Sequence, residues 1–338
     1  MLTTPRPEET PPTSAIAAAF DLGRPTHELA LLQVASFVTW RLVTDRRAFV
    51  VKRLWPGDDD PALVDQHRGA MHFEQRVIGS GVVRTPRPVE PREPSFGWAA
   101  PVGRFGTFRV SEWIDHRPLE EADDITDWFG ETMAALHRLA PLGATFVPVW
   151  RWLGVHPRST WQRWIGVADA TRRSWAPLLD SMADELLDFS DRIVHAYRSA
   201  TDLVVSHADV GPYNVLMSTD GPVLIDWESV GPVRASSEVG RAAEVFSGGF
   251  PAPMRTLLDA YRRAGGSIAS RPDDLFLGIL TNDLANVSER IMVALGEDVP
   301  ASWMDEAGLD RDIEHGLRAL PNRIRALTDL GVATLSGS

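Results

Sequence analysis

The chain has no cysteine. Disulfides, thiolate nucleophiles and cysteine-bound zinc or iron–sulfur centres are therefore excluded. No run approaches the ~18 uninterrupted apolar residues of a membrane span. The first dozen residues are polar and proline-rich, without the apolar core of a signal peptide. The nine histidines include no HExxH or comparable cluster, which speaks against a dedicated transition-metal site. Positive charge is also scarce: 34 basic against 46 acidic residues give a formal net charge of −12. That balance does not suit a nucleic-acid partner, which wants a basic face, and it does suit a cationic small molecule. The expectation is a cytoplasmic protein without nucleic-acid or membrane partners, monomeric or homodimeric, whose residues 1–13 form a disordered tail.

Lysine is the scarcest of the charged residues. Of the 34 basic residues, 33 are arginine, and the exception is Lys52. An ammonium is a compact charge on a slim stem, whereas a guanidinium is a broad planar fork, so the exception asks for a position where the fork would not serve. The 338 residues, 44% of them hydrophobic, exceed one average domain and can build a core in each of two lobes.

A short helix is expected over 14–20. From residue 28 the pattern turns to strands, at 29–34, 37–43 and 48–54, with Thr44-Asp45-Arg46-Arg47 as the turn between the second and third. Lys52 falls in the third, where alternation puts it on one face with Val50. A helix over 61–78 carries Glu74 and ends at a glycine stop over 79–81. Strands are expected at 98–101 and 107–114, after which strand signals nearly vanish until residue 203. Helices are expected at 125–139, through 150–197 with Trp161, Trp164 and Trp175 in the core, and at 238–246, 254–264, 273–295 and 304–330. The fold class is therefore α+β and two-lobed: an antiparallel N-terminal sheet with one helix over 14–115, then a mainly helical C-terminal lobe over 116–338.

The residues able to move protons or bind metal gather in 205–228. His207, Asp209, Asn214 and Asp226 stand at the ends of three short apolar runs, 203–205, 215–217 and 223–225. Ser218-Thr219-Asp220-Gly221-Pro222 is the turn between the last two. Taken singly, Asp209 and Asn214 are ordinary turn residues and Asp226 an ordinary strand-end acid. Taken together the pattern is specific. Lys52 in the third strand, Leu136-His137-Arg138, His207-x-Asp209-x4-Asn214 and Ile225-Asp226-Trp227 after a hairpin resemble the aminoglycoside phosphotransferase family, small-molecule kinases of the protein-kinase-like fold. The resemblance spans about residues 28–265 and includes the LLDAYRRAGG segment at 257–266.

The resemblance implies transfer of the γ-phosphate of ATP or GTP to a hydroxyl of a small molecule, with Mg²⁺. Asp209 is then the base that takes or orients the hydroxyl proton, and His207 braces its loop. Asn214 and Asp226 hold the metal, Lys52 binds the nucleotide phosphates while paired with Glu74, and the backbone of Glu112 and Ile114 receives the adenine. His137 and Trp227 read as packing residues. Three departures stand out. Val34-Ala35-Ser36-Phe37 lacks the glycine often found after the first strand, leaving Ser36 to help cover the phosphates. Asp115-His116-Arg117 follows Ile114 without a glycine. Glu238-Val239-Gly240 stands where many relatives carry Asp-Leu-Ala, one methylene longer.

The family implies no single acceptor. Residues 271–315 hold 11 acidic residues against three arginines, and an acidic surface of this kind attracts cations. An aminoglycoside-like or other antibiotic or amino-sugar acceptor, with a role in antibiotic resistance, is the leading expectation, and Glu228, Asp283 and Glu289 are its candidate contacts. A metabolic kinase for a sugar, a choline-like amine or homoserine is the alternative. A protein kinase would want an Asp-Phe-Gly and an Ala-Pro-Glu segment, and neither follows Asp226. A nucleotide-binding module without catalysis would not need the full set of Lys52, Asp209, Asn214 and Asp226.

Overall fold

The structure is a computed structural model that describes residues 9–34, 37–55, 61–120, 123–142, 149–268, 271–300 and 304–336. The chain forms two compact units, one of Met1–Asp123 with Pro212–Gly231, the other of Asp124–Gly211 with Pro232–Ser338.

The first unit begins with α1 (Thr13–Ala19), which buries Ile16 and Ala17. β1 (Ala30–Val34), β2 (Val38–Val43) and β3 (Ala48–Trp55) form the antiparallel meander that the sequence predicts. Thr44 Oγ1 accepts the amides of Arg46 and Arg47 and so closes the turn between β2 and β3. α2 (Pro61–Ser80) ends at Gly81, which sits at φ 66°, the left-handed conformation that glycine adopts without a Cβ clash. β4 (Ala99–Pro101) and β5 (Thr107–Glu112) complete a five-stranded sheet of order β1-β2-β3-β5-β4.

Period-2 alternation divides the chemistry of this sheet between its faces. Val38, Trp40, Leu42, Phe49, Val51, Phe108 and Val110 point to one side and pack with α1 in a single apolar cluster. The residues between them point to the other side, and there the β3–β5 register sets Lys52 directly opposite Arg109. Two cations facing each other across a ladder repel, so that face requires carboxylates. A short β6 (His116–Pro118), not expected from the sequence, leaves the sheet.

In the second unit come α3 (Thr126–Leu139), α4 (Arg158–Ala170), α5 (Ala176–Arg198) and β7 (Leu203–Ser206). The continuous helical stretch expected over 150–197 is broken by its prolines: Pro157 is the N-cap of α4, and Pro177 lies in the first turn of α5. Proline lacks the N–H that a helix interior needs and is tolerated where a helix starts. Trp161, Trp164 and Trp175 are fully buried, as the core reading has it.

The chain then returns to the first unit with β8 (Val215–Ser218) and β9 (Gly221–Leu224), a hairpin that pairs with β6 in the order β6-β8-β9. The 14–115 and 116–338 division read from sequence differs here, because residues 212–231 pack with the first unit. β6 supplies their edge partner and α2 their packing surface, where Phe73 and Trp227 rings lie 6.2 Å apart.

β10 (Gly231–Arg234) pairs with β7, and five further helices follow: α6 (Ala235–Ser247), α7 (Pro251–Arg263), α8 (Pro272–Leu275), α9 (Leu277–Ala294) and α10 (Leu309–Leu335). The single helix expected over 273–295 is interrupted at Phe276, whose backbone (φ −104°, ψ 17°) closes α8 and opens α9. Leu275 and Phe276 are both buried there, so packing overrides helix propensity at that point. No described helix is long and apolar enough to cross a membrane.

Candidate active site

In the first unit the β8–β9 hairpin carries two of the candidate residues. Val215 pairs with Leu224, and the Ile225 amide donates to the Asn214 carbonyl at 3.0 Å, so the hairpin closes with Asn214 beside the strand that leads into Asp226. Asp226 then turns the chain at φ 71°, a left-handed conformation that aspartate tolerates better than most residues. Trp227, held by an indole N–H donated to Thr85 Oγ1 at 2.6 Å, anchors the following turn.

The sheet face of Lys52 and Arg109 receives this turn. Lys52 Nζ bonds to Asp226 Oδ1, and it donates to Glu228 Oε2 at 2.8 Å. Arg109 donates to Glu228 Oε1 at 2.9 Å and to both carboxylate oxygens of Glu74, each at 2.9 Å. Two expectations are corrected by these contacts. Glu74 is paired with Arg109 rather than with Lys52, because the planar guanidinium fits both its oxygens at once. Glu228, expected to touch an acceptor, is 4% exposed and has both oxygens committed to cations.

Burial sets the protonation balance of this network. It pushes the Asp226 carboxyl up to about 6 despite the neighbouring Lys52. Glu228 is buried too, yet Lys52 and Arg109 together overcome that cost and hold it well below the usual carboxylate range. Burial likewise pushes Glu74 up, against the pull of Arg109. Lys52 is driven down by burial but raised on balance by Glu228 and Asp226, so it stays an ammonium. Three carboxylates thus face two fixed cations, a surplus of one formal negative charge. No cluster of three or more metal-binding His, Cys, Asp or Glu side chains occurs among the described residues.

The strand exit is placed as follows. The Glu112 amide donates to the Arg87 carbonyl at 2.9 Å, its side chain pairs with Arg47, and the Ile114 carbonyl accepts from His116 Nδ1 at 2.7 Å. Ser36 lies outside the described residues.

The second unit holds the other half of the motif. His207 is fully buried, and its Nδ1 accepts the Asp209 amide at 3.3 Å. Ala208 between them sits at φ 64°, a strained conformation for a side-chain-bearing residue. Glu238, on α6, compensates by accepting the Ala208 amide at 2.7 Å through one oxygen and bonding His137 Nε2 at 2.7 Å through the other. His137 Nδ1 in turn lies 2.7 Å from the Tyr261 hydroxyl. Those partners hold the Glu238 carboxyl below its ordinary value although burial works against them. Arg241, also on α6, donates to the Ala208 carbonyl at 3.1 Å and to Asp209 Oδ1 at 3.0 Å.

The departure at 238–240 thus has a physical reason. Glu238 spans the reach from α6 to the Ala208 amide. At Gly240 a Cβ would lie 1.8 Å from the Leu275 carbonyl oxygen, so α6 and α8 approach too closely there for any side chain. Of the remaining candidates, Asp283 faces a cavity between α9 and α10, and Glu289 is half-buried elsewhere on α9, its carboxyl pushed up by burial.

Arg109, Arg241 and Tyr261 were not foreseen. Arg109 had a visible signal, a lone charge inside an apolar strand, which is the same signal that singled out Lys52. Arg241 and Tyr261 carry no local signal, since their partners lie more than 30 residues away in the chain.

Comparison with known proteins adds an independent finding. The family model for the phosphotransferase enzyme family matches residues 29–310. Among solved structures, an aminoglycoside phosphotransferase from Alicyclobacillus acidocaldarius is similar at a TM-score of 0.61 and 15% identity, with 100% of both chains covered. Amicoumacin kinase in complex with AMP-PNP and Ca²⁺ is similar at 0.60 and 13% identity, covering 92% of each chain. A microcompartment-associated aminopropanol kinase is similar at 0.60 and 15% identity, covering 96% of this chain and 98% of that one. A 40-residue segment is 50% identical to the trifolitoxin immunity protein of Rhizobium leguminosarum bv. trifolii, 12% of this chain and 15% of that protein.

Proposed function

The chain belongs to the phosphotransferase enzyme family, and from that premise we propose that it transfers the γ-phosphate of ATP or GTP to a hydroxyl group of a small molecule, with Mg²⁺ as the metal and Asp209 as the base. The observation that supports this most directly is the contact of the chain's single lysine, Lys52, with Asp226. A phosphate-binding ammonium and a metal-binding carboxylate share one sheet face, as phosphoryl transfer requires.

The donor set suits the metal. Asn214 and Asp226 offer oxygen ligands from one end of the β8–β9 hairpin, and magnesium takes few protein oxygens, completing its shell with water and phosphate. The surplus negative charge of the Lys52 face is the electrostatic counterpart of a divalent cation. Bound there, the ion would supply neutralisation of the phosphate charge. Lys52 is held by Asp226 and Glu228 in reach of the same phosphates, and Arg109 frees it from Glu74.

The acceptor's hydroxyl oxygen forms the new bond to the γ-phosphorus as the bond from that phosphorus to the β–γ bridging oxygen breaks. The hydroxyl proton passes to an Asp209 oxygen, and the nucleoside diphosphate leaves with the electron pair. His207 and Arg241 orient Asp209, while Glu238 holds the strained Ala208 peptide between them. The backbone of Glu112 and Ile114 receives the base of the nucleotide.

Turnover of Mg·ATP and Mg·GTP against aminoglycosides, macrolides, peptide antibiotics, amino alcohols and small sugars tests the reading. Acceptor-dependent release of nucleoside diphosphate is expected with at least one class. Labelling of a peptide substrate and of no small molecule would overturn it.

A further inference from the structure

Between α9 and α10 the second unit has an open cavity of about 380 Å³, within the ~300–1,000 Å³ of small-molecule sites. Buried Val287 and Leu320 form its floor, and Asp283, Asp312, Arg290 and Arg323 bring two carboxylates and two guanidinium groups to its walls. The helices come close at Gly316, where a Cβ would lie 2.6 Å from Val287 Cγ2.

This lining is charge-balanced, unlike the stretch it comes from. Of the 11 acidic residues in 271–315, only Asp283 and Asp312 line the cavity, and Arg290 and Arg323 offset them. A polycation entering here would meet two guanidinium groups, and like charges brought together out of water are costly. A ligand carrying one charge of each sign would be matched on both.

Arg290 is tied to its own helix by a bond to the Asn286 carbonyl at 3.0 Å, and the contacts of Arg323 are loose. Arg323 reaches Asp283 Oδ2 at 3.5 Å and Glu244 Oε1 at 3.4 Å, longer than the ~2.7–2.9 Å of a tight charge-assisted bond. Burial pushes the Asp283 carboxyl above its ordinary value in spite of Arg323, so an incoming ammonium would find a carboxylate short of positive charge.

The cavity also connects electrostatically to Asp209. Arg241 binds Asp209 Oδ1 at 3.0 Å and acts on Asp283 as well. Glu244, one turn along α6, takes the other contact of Arg323.

We propose that the α9–α10 cavity is the acceptor site and that the acceptor is a compact zwitterion, bearing an amine and a carboxylate besides the hydroxyl to be phosphorylated. Its amine meets Asp283 and its carboxylate meets Arg290. The assignment as acceptor site rests on the reading of Asp209 as the transfer base; the charge preference of the cavity is measured separately.

Titration calorimetry with L-homoserine, a seryl-glycine dipeptide and kanamycin as probes requires no turnover. At least one of the two zwitterions is expected to bind, and kanamycin to bind at least about tenfold more weakly. Asp283→Asn and Arg290→Gln should each weaken the zwitterion by about tenfold. Arg290→Gln leaves the Asp283–Arg323 pair intact, and it decides the matter if Asp283→Asn does not fold. Tighter binding of kanamycin, no binding of either zwitterion, or zwitterion binding that neither variant moves would each overturn the proposal. If the zwitterion binds as stated and Mg·ATP gives no product with it, the cavity's charge preference stands and the role assigned to Asp209 falls.

Discussion

Glu74 on α2 takes both of its strong contacts, each 2.9 Å, from Arg109 on β5, and Lys52 is left to Asp226 and Glu228. The arrangement splits between two residues what a single lysine is expected to do. Arg109 fixes α2 to the sheet, and Lys52 is a compact point charge held beside the proposed metal ligands. Arg109 is buried, its guanidinium raised further by Glu74 and Glu228 against the cost of burial.

Replacing Arg109 by leucine should strand the buried carboxylate of Glu74 and leave Glu228 with Lys52 alone. Breaking a buried pair by removing one partner costs about 3–5 kcal/mol. Arg109→Lys should recover part of that loss, since an ammonium cannot serve both oxygens of Glu74 in the same geometry. Urea denaturation of the three proteins checks the order, wild type above Arg109→Lys above Arg109→Leu.

Lys52→Arg conserves charge but places a broad fork in a slot where Asp226 and Glu228 already close on the ammonium. Nucleotide KM should rise and kcat fall, together about 10²-fold, the size of effect expected when a positioned group is displaced by about 1 Å. Steady-state kinetics with varied Mg·ATP measures it. Wild-type kinetics in Lys52→Arg would remove the reason given for the one lysine.

Glu238 and Gly240 form a second testable pair on α6. Glu238→Gln keeps the shape but weakens the hold on the Ala208 amide and on His137, so kcat should drop about 10–10²-fold with nucleotide KM little changed. Gly240→Ala should act on stability, since its Cβ would overlap the Leu275 carbonyl oxygen, and overpacking of this kind costs about 1–3 kcal/mol. A melting curve separates the two effects.

His156 supplies a pH dependence distant from the phosphate chemistry. It packs edge-on against Trp161 and Trp164, and burial, helped by Arg151, lowers it to about 4. The unfolded imidazole titrates near 6.5, so between those values the unfolded chain binds a proton that the folded chain refuses. Stability should therefore be complete above about pH 6.5 and fall as the pH drops toward 4, by about 2 kcal/mol at pH 4.5. His156→Phe should flatten that loss by the same amount, read from tryptophan fluorescence during urea unfolding at pH 7 and 4.5.

Much of this could be read in the sequence. The meander, α2 and α3 have clean periodicity and turn chemistry, so their existence and near-limits follow from local rules. The breaks at Pro157 and Pro177 were also legible, since proline starts helices more readily than it continues them, but the strong apolar pattern of 150–197 obscured them. The break at Phe276 has no local cause, being set by packing of buried side chains. Lys52, Asp209, Asn214 and Asp226 were visible as polar residues at strand ends. The pairings they make were not, because Lys52 meets Glu228 across 176 residues and Asp209 meets Arg241 across 32.

Asp209 remains the point on which the account turns. Asp209→Ala should leave nucleotide binding, followed by titration of a fluorescent ATP analogue, within about twofold of wild type. Transfer of the γ-phosphate to the acceptor in the same preparation should fall by about 10²–10⁴-fold, the range expected for loss of a general base. Acceptor phosphorylation at the wild-type rate in Asp209→Ala would contradict the account.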